Sequence, residues 1–281
     1  MFGKRSSIPP LALQMEQGFT RQSEQLSEIL RAIVALRDRQ DRPSQTEPPQ
    51  LAIYERMGLR LLLDSASYVD RYMIDNGHWE EAQISYLRHI IGQIQRHGPV
   101  TFLDIGAYWG LYSLQVRKLN VHAIHAFEAD LHNFSQLHAQ IFLNDAAGSV
   151  HTHQIAISDK REMVTFMDSR GHPEGNRGGV GIINPEACVR SSSMQADTID
   201  QILPLSGALI VAKLDLEGHE SKALAGMRQT ISANQVFVQV ECFEENTPKT
   251  AAILDQLGLR QVYEIGPDKY YTNLPETALE S

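Results

Sequence analysis

Three apolar runs of this chain end in carboxylates. Residues 100–110 (VTFLDIGAYWG) run through Asp104 into Gly106 and Gly110, residues 122–128 (HAIHAFE) end in Glu128, and residues 211–220 (VAKLDLEGHE) carry Asp215, Glu217, His219 and Glu220. Short apolar runs of this kind read as buried strands. In an open α/β sheet, the C-terminal edge to which such strands deliver their last residues is where ligands bind. Side chains alternate along a strand with period two, so Lys213, Asp215 and Glu217 share one face. A buried Lys213 then requires one of these carboxylates as a partner, because an unpaired buried charge is costly.

The glycine turn after the first run discriminates between ligands. A dinucleotide fingerprint starting at Gly106 needs glycine at 108 and 111 so that backbone can approach a pyrophosphate, but Tyr108 and Leu111 stand there. S-adenosylmethionine carries no phosphate. It needs a tight turn for its methionine moiety, an acid near its ammonium and a carboxylate at the end of the next strand for its ribose hydroxyls. Asp104 and the backbone at Gly106, Ala107 and Gly110 answer the first demands, Glu128 beside Ala129 the last, and Ser158 with Asp159 stand where adenine contacts are expected. Each position has a plainer reading. Asp104 can cap the helix that follows, Glu128 can be a solvated strand end, and Ser158 and Asp159 can be turn residues.

Transfer of a methyl group to a hydroxyl requires the acceptor proton to leave, which a base with a pKa near the working pH achieves best. His219 has such a pKa when unperturbed; its alternative is a histidine satisfying backbone groups at a helix start. Asp215 and Glu217 complete the catalytic candidates, and base, orienting group and metal ligand all stay open for Asp215. Asp215, Glu217, His219 and Glu241 would furnish oxygen ligands and one imidazole for Mg²⁺, which would acidify an acceptor hydroxyl. No metal is expected, and Asp215 and Glu241 would be the ligands of one. Asn176, Arg177 and Gly178 lie in a polar, glycine-rich stretch within 168–197, a loop long enough to cover a site, and are candidates for acceptor contact.

The elements that position these residues follow from hydropathy. Over residues 12–36, apolar residues recur with period 3.5, broken only by Gln22, between flanks of balanced charge. This segment is expected to be a helix that either makes a homo-oligomeric coiled coil or folds back on its own domain. Three prolines between Asp41 and Gln50 mark a linker. The domain of residues 51–281 then opens with an expected helical lead-in, 51–98. Strands are expected at 100–106, 122–128, 150–158, 164–167, 208–216, 235–242, 259–266 and 270–274, the last two as an antiparallel hairpin. Helices are expected at 110–119, 132–143, 219–231 and 247–257. Strand–helix–strand alternation implies right-handed crossovers and a parallel sheet.

Composition sets the outer bounds. A chain of 281 residues with 42% hydrophobic content buries a sizeable core. A net charge of −9 argues against nucleic acid as a partner. Cys188 and Cys242 lie far apart without metal-site spacing, which fits a reducing, cytoplasmic location. There is neither a signal-peptide core nor an apolar run of transmembrane length.

Taken in order, LDIGAYWGLYSL, HAFEADLHNFSQLHAQIFLN, IAISD, KLDLEGHESKALAGM and VQVEC resemble the FkbM family of S-adenosylmethionine-dependent methyltransferases, and RYMIDNGHWE is similar to the family's lead-in. Tyr108 departs from the family's usual Asn, and Ala129–Asp130 from its usual Pro. The resemblance implies a class I, Rossmann-like, seven-stranded and mostly parallel sheet with helices on both faces. It implies O-methylation of a hydroxyl on a sugar, glycan or secondary metabolite. The alternative is a non-catalytic S-adenosylmethionine-binding module tethered to an assembly by the N-terminal helix.

Overall fold

The computed structural model describes residues 50–172, 175–183, 190–243 and 246–279. The heptad segment 12–36, the linker up to Pro49, and Cys188 lie outside the described residues. The chain divides into Met1–Pro48 and Pro49–Ser281, and every described element belongs to the second unit.

The elements run in the order β1 (Leu51–Arg56), β2 (Leu59–Asp64), α1 (Tyr68–Asn76), α2 (Glu81–Ile94), β3 (Val100–Ile105), α3 (Leu111–Arg117), β4 (Ala123–Phe127), α4 (Leu131–Leu143), β5 (His151–His153), β6 (Ala156–Ile157), β7 (Glu162–Met167) and β8 (Ser191–Asp197). They continue with α5 (Ile199–Ile202), β9 (Leu209–Leu214), α6 (Glu220–Ala225), α7 (Arg228–Ala233), β10 (Gln235–Glu241), α8 (Thr247–Gln256), β11 (Arg260–Ile265) and β12 (Asp268–Thr272).

Seven strands form the main sheet in the order β11-β12-β10-β9-β3-β4-β5. The five from β10 to β5 are parallel, while β12 runs antiparallel to β10 and β11. Every residue of β3 and β9 is buried, as expected of central strands covered on both faces. Val100 and Phe102 pack into one core with helices α2, α3 and α4, and Leu103 and Ile105 into another with α5, α6 and α7. From β3 the chain winds first to β4 on one side and later to β9 on the other. The switch point, with its ligand cleft, therefore lies at the ends of β3 and β9.

Four expectations need correction. The lead-in is not helical throughout, because Leu51–Asp64 is a β-hairpin. Met57 and Gly58 both have positive φ (49° and 67°), the backbone of a two-residue hairpin turn. The free edge of β2 is met by Gln140, whose amide accepts from the Leu62 N–H and donates to the Leu62 carbonyl, both at 2.8 Å. The strand expected at 150–158 is two short strands in different sheets: β5 ends the main sheet, while β6 joins a small sheet of order β6-β8-β7. That sheet contains Ser191–Asp197, a strand inside the stretch read as loop, paired antiparallel with β7. Finally, the helix expected at 219–231 breaks at Gly226, where a Cβ would stand 2.1 Å from the Ser158 carbonyl oxygen.

Candidate active site

The cleft is shaped first by Gly106. Its φ is +84°, and a Cβ there would lie 1.8 Å from the backbone oxygen of Asp215, so the β3 turn and the end of β9 meet backbone to backbone. The N–H groups of Gly106 and Ala107 both donate to the Phe127 carbonyl, at 3.0 and 2.9 Å. Tyr108 then turns into the left-handed region (φ 51°), and its N–H donates to Glu128 Oε2 at 2.8 Å. Glu128 Oε1 accepts from the Asp130 N–H at 2.7 Å. Burial pushes the Glu128 carboxyl up to about 8.

Asp104 is buried at the end of β3. Its Oδ2 accepts from the Ser113 N–H at 2.9 Å and the Ser113 hydroxyl at 2.7 Å. Ser113 is the third residue of α3, whose N-terminal Gly110 has no side chain, so Asp104 supplies the cap from another element. It lines the cleft at the same time.

The far wall holds one ammonium among acids. Lys213 Nζ lies 2.8 Å from Asp215 Oδ2 and 4.6 Å from the centre of the Tyr112 ring. Burial alone would lower the Lys213 pKa, but Asp215, Glu80 and Asp104 hold it above its usual value. Burial works to raise Asp215, yet Lys213 and a hydrogen bond with Glu241 bring it below its usual value. Burial and the Asp215 carboxylate push the Glu241 carboxyl well above its usual value. Glu217 is exposed, and partial burial with Asp215 and Glu220 nearby raises its carboxyl above its usual value. His219 moves the other way, down to about 4 through burial and Lys222.

Asp104, Gly106, Ala107, Glu128, Ala129, Asn176, Gly178, Asp215, Glu217, His219 and Glu241 all line one cavity of about 260 Å³. Four sequence candidates do not join them. Gly110 faces Leu137, where a Cβ would lie 2.3 Å from that side chain. Ser158 sits behind His219, with its Oγ 3.0 Å from Nε2, and donates to Asp159 at 3.1 Å. Asp159 itself borders a separate surface groove with Lys160 and Arg228. Arg177 forms an ion pair with Asp64 at 2.6 Å, tying its loop to the hairpin.

Sequence reasoning missed Trp79, Glu80, Tyr112, Asn133 and Phe243, which also line the cavity. Glu80 accepts from the Tyr112 hydroxyl at 2.7 Å and from Trp79 Nε1 at 2.9 Å. It belongs to the GHWE of the lead-in, the one signal that pointed to it. Asp215, Glu217 and Glu241 each offer an oxygen within 4.8 Å of the others, a spacing that could hold a cation. Lys213 already contacts Asp215 there, at 2.8 Å.

The sequence profile of the methyltransferase FkbM domain matches residues 104–265, from the cap carboxylate of β3 to the end of β11. The chain belongs to this family. The FkbM domain here has the class I methyltransferase fold, with the antiparallel β11–β12 pair completing its seven strands. Among solved structures, it is similar to methyltransferase FkbM from Methylobacillus flagellatus KT, at 17% identity over 62% of this chain and 43% of that one, with a TM-score of 0.45. It is also similar to monomeric WbdD, at 12% identity over 72% of this chain and 43% of that one, TM-score 0.45. A third is the ribosomal protein L11 methylase from Lactobacillus delbrueckii subsp. bulgaricus, at 12% identity over 69% and 79%, TM-score 0.40. The aligned part covers under half the length of the first two. No curated protein matches the chain in sequence. Among the described residues, no helix is long and apolar enough to cross a membrane.

Proposed function

We propose that the chain is an S-adenosylmethionine-dependent O-methyltransferase acting on a hydroxyl of a sugar, glycan or secondary metabolite. The observation that carries this reading is the carboxyl-rich lining of the cleft. Among the described residues its wall holds six carboxyl groups, from Glu80, Asp104, Glu128, Asp215, Glu217 and Glu241, and one ammonium, Lys213. Such a wall offers acceptors to ribose hydroxyls and to an ammonium, and only Lys213 as a cationic partner for a pyrophosphate, which suits a donor without phosphates. The Gly106 turn, into which no Cβ fits, supplies the close backbone approach that the donor's methionine moiety needs.

In this reading Glu128 binds the ribose hydroxyls, and Asp104 and Glu80 face the ammonium end. The donor brings an already activated methyl group, so the protein's part is to orient the acceptor and remove its proton. Glu217 is the base, because it is the exposed member of the Asp215, Glu217 and Glu241 group, and partial burial with Asp215 beside it raises its carboxyl toward neutral pH. His219, held low, is neutral and packs its ring against the Ser158 hydroxyl. Asp215, fixed by Lys213, orients the acceptor hydroxyl. Trp79 and Phe243 contribute aromatic rings to the wall, which suits an acceptor whose ring carries hydroxyls. No divalent cation is required, because Lys213 supplies positive charge at Asp215. The heptad segment 12–36 serves self-association.

The test is incubation of the full chain with methyl-labelled donor and a panel of glycans and hydroxylated secondary metabolites. Label recovered in a methyl ether supports the reading. Label recovered only on nitrogen or carbon, or none with any acceptor despite donor binding, counts against it.

A further inference from the structure

The departure of Tyr108 from the family pattern leads to a residue outside the matched range. Asp70, in the first turn of α1, is fully buried and accepts four hydrogen bonds. Its Oδ1 takes the Tyr108 hydroxyl at 2.9 Å and Trp109 Nε1 at 3.0 Å. Its Oδ2 takes the Asp64 N–H at 2.9 Å and Gln136 Nε2 at 2.7 Å. The Tyr108 hydroxyl, having given its proton to Asp70, accepts from Ser67 Oγ at 2.9 Å. Only a carboxylate can take four donors on one short side chain; an asparagine would present two donors of its own to them.

Tyr108 holds a left-handed backbone that a non-glycine residue adopts reluctantly, and in that conformation its N–H points a hydrogen bond at Glu128. With the ring tied at one end to Asp70 and the amide at the other to Glu128, the turn is braced between the lead-in helix and the end of β4.

We propose that Asp70 is a positioning residue of the donor pocket: by fixing Tyr108 and Trp109 it holds the Tyr108 amide against Glu128 and so presents Glu128 to the donor's ribose. This rests on the assignment of Glu128 as the ribose-binding acid. Tyr108 is thereby accounted for in the place where the family usually has Asn. Its ring reaches a carboxylate that the matched domain does not contain.

The experiment is calorimetric titration of the full-length protein with S-adenosylhomocysteine and with its ribose-deoxygenated analogue, for wild type, Asp70→Asn and Tyr108→Phe. S-adenosylhomocysteine should bind about tenfold more weakly to Asp70→Asn and about threefold more weakly to Tyr108→Phe. The double variant should be no worse than Asp70→Asn alone, since both changes break the same brace. With the deoxygenated analogue these losses should shrink to within about twofold, because the hydroxyl that Glu128 takes is gone; a change in fold would weaken both ligands alike. If Asp70→Asn does not fold, Tyr108→Phe, which removes one oxygen, decides alone. Equal losses for both ligands, or variants that bind like wild type, overturn the role of Asp70. A wild type that binds no S-adenosylhomocysteine instead overturns the donor-pocket reading itself.

Discussion

Gly106 and Asp215 meet backbone to backbone, so closely that a Cβ on the glycine would stand 1.8 Å from the aspartate's carbonyl oxygen. This contact joins the glycine turn of β3 to the acidic end of β9. It brings Asp104 and Glu128 into one cavity with Asp215, Glu217 and Glu241. Gly106→Ala should therefore lower stability by at least about 3 kcal/mol and abolish donor binding, since both strain and collision oppose it. Thermal melts with and without S-adenosylhomocysteine check this; a folded alanine variant that still binds would show that the two strands can separate without harm.

The proposed base sets the pH profile. Glu217, raised to about 7, works only when deprotonated, so kcat/KM should rise with pH through about 7. Glu217→Gln should lose about a hundredfold or more in kcat along with this limb. His219→Ala should keep the limb, since the imidazole is already neutral above about 4. A limb that disappears with His219 and survives loss of Glu217 would reverse the assignment.

Stability should report the Asp215–Glu241 pair. Glu241 holds its proton up to about 10 in the folded chain, against an ordinary value of 4.5, so folding takes up a proton between those values. Stability therefore falls as pH rises through that window, and the contribution present below about 4.5 is lost above about 10. Glu241→Gln keeps a donor toward Asp215 but cannot ionise. Its melting temperature should fall less between neutral and alkaline pH than that of wild type; parallel slopes would mean that the proton resides elsewhere.

Metal removal separates two uses of the same carboxylates. With Lys213 already paired to Asp215, exhaustive dialysis against EDTA should leave kcat unchanged, and added Mg²⁺ should not raise it. Activity lost to EDTA and restored by Mg²⁺ would place a cation among Asp215, Glu217 and Glu241.

What the sequence disclosed depended on how local each cause was. β3, β4 and β9 were readable because central parallel strands are continuous apolar runs, and their terminal carboxylates mark the cleft directly. The β1–β2 hairpin was not, because LRLLLD also satisfies helical spacing and its turn is Met57–Gly58 rather than the usual Asn-Gly. β8 was hidden by its exposed serines, and it pairs with a strand more than twenty residues earlier. His219 is a base candidate from its unperturbed pKa; burial, which no spacing reveals, lowers that value to about 4. Tyr108 had no local explanation because its partner Asp70 is 38 residues upstream.

The most direct test of the account is calorimetric titration of the full chain with S-adenosylmethionine and with NAD⁺, in wild type and Glu128→Ala. The account predicts that S-adenosylmethionine binds wild type, that NAD⁺ does not, and that loss of the Glu128 carboxylate weakens S-adenosylmethionine about tenfold or more. Binding of NAD⁺ in place of S-adenosylmethionine, or equal affinity of the Glu128→Ala variant for S-adenosylmethionine, would contradict it.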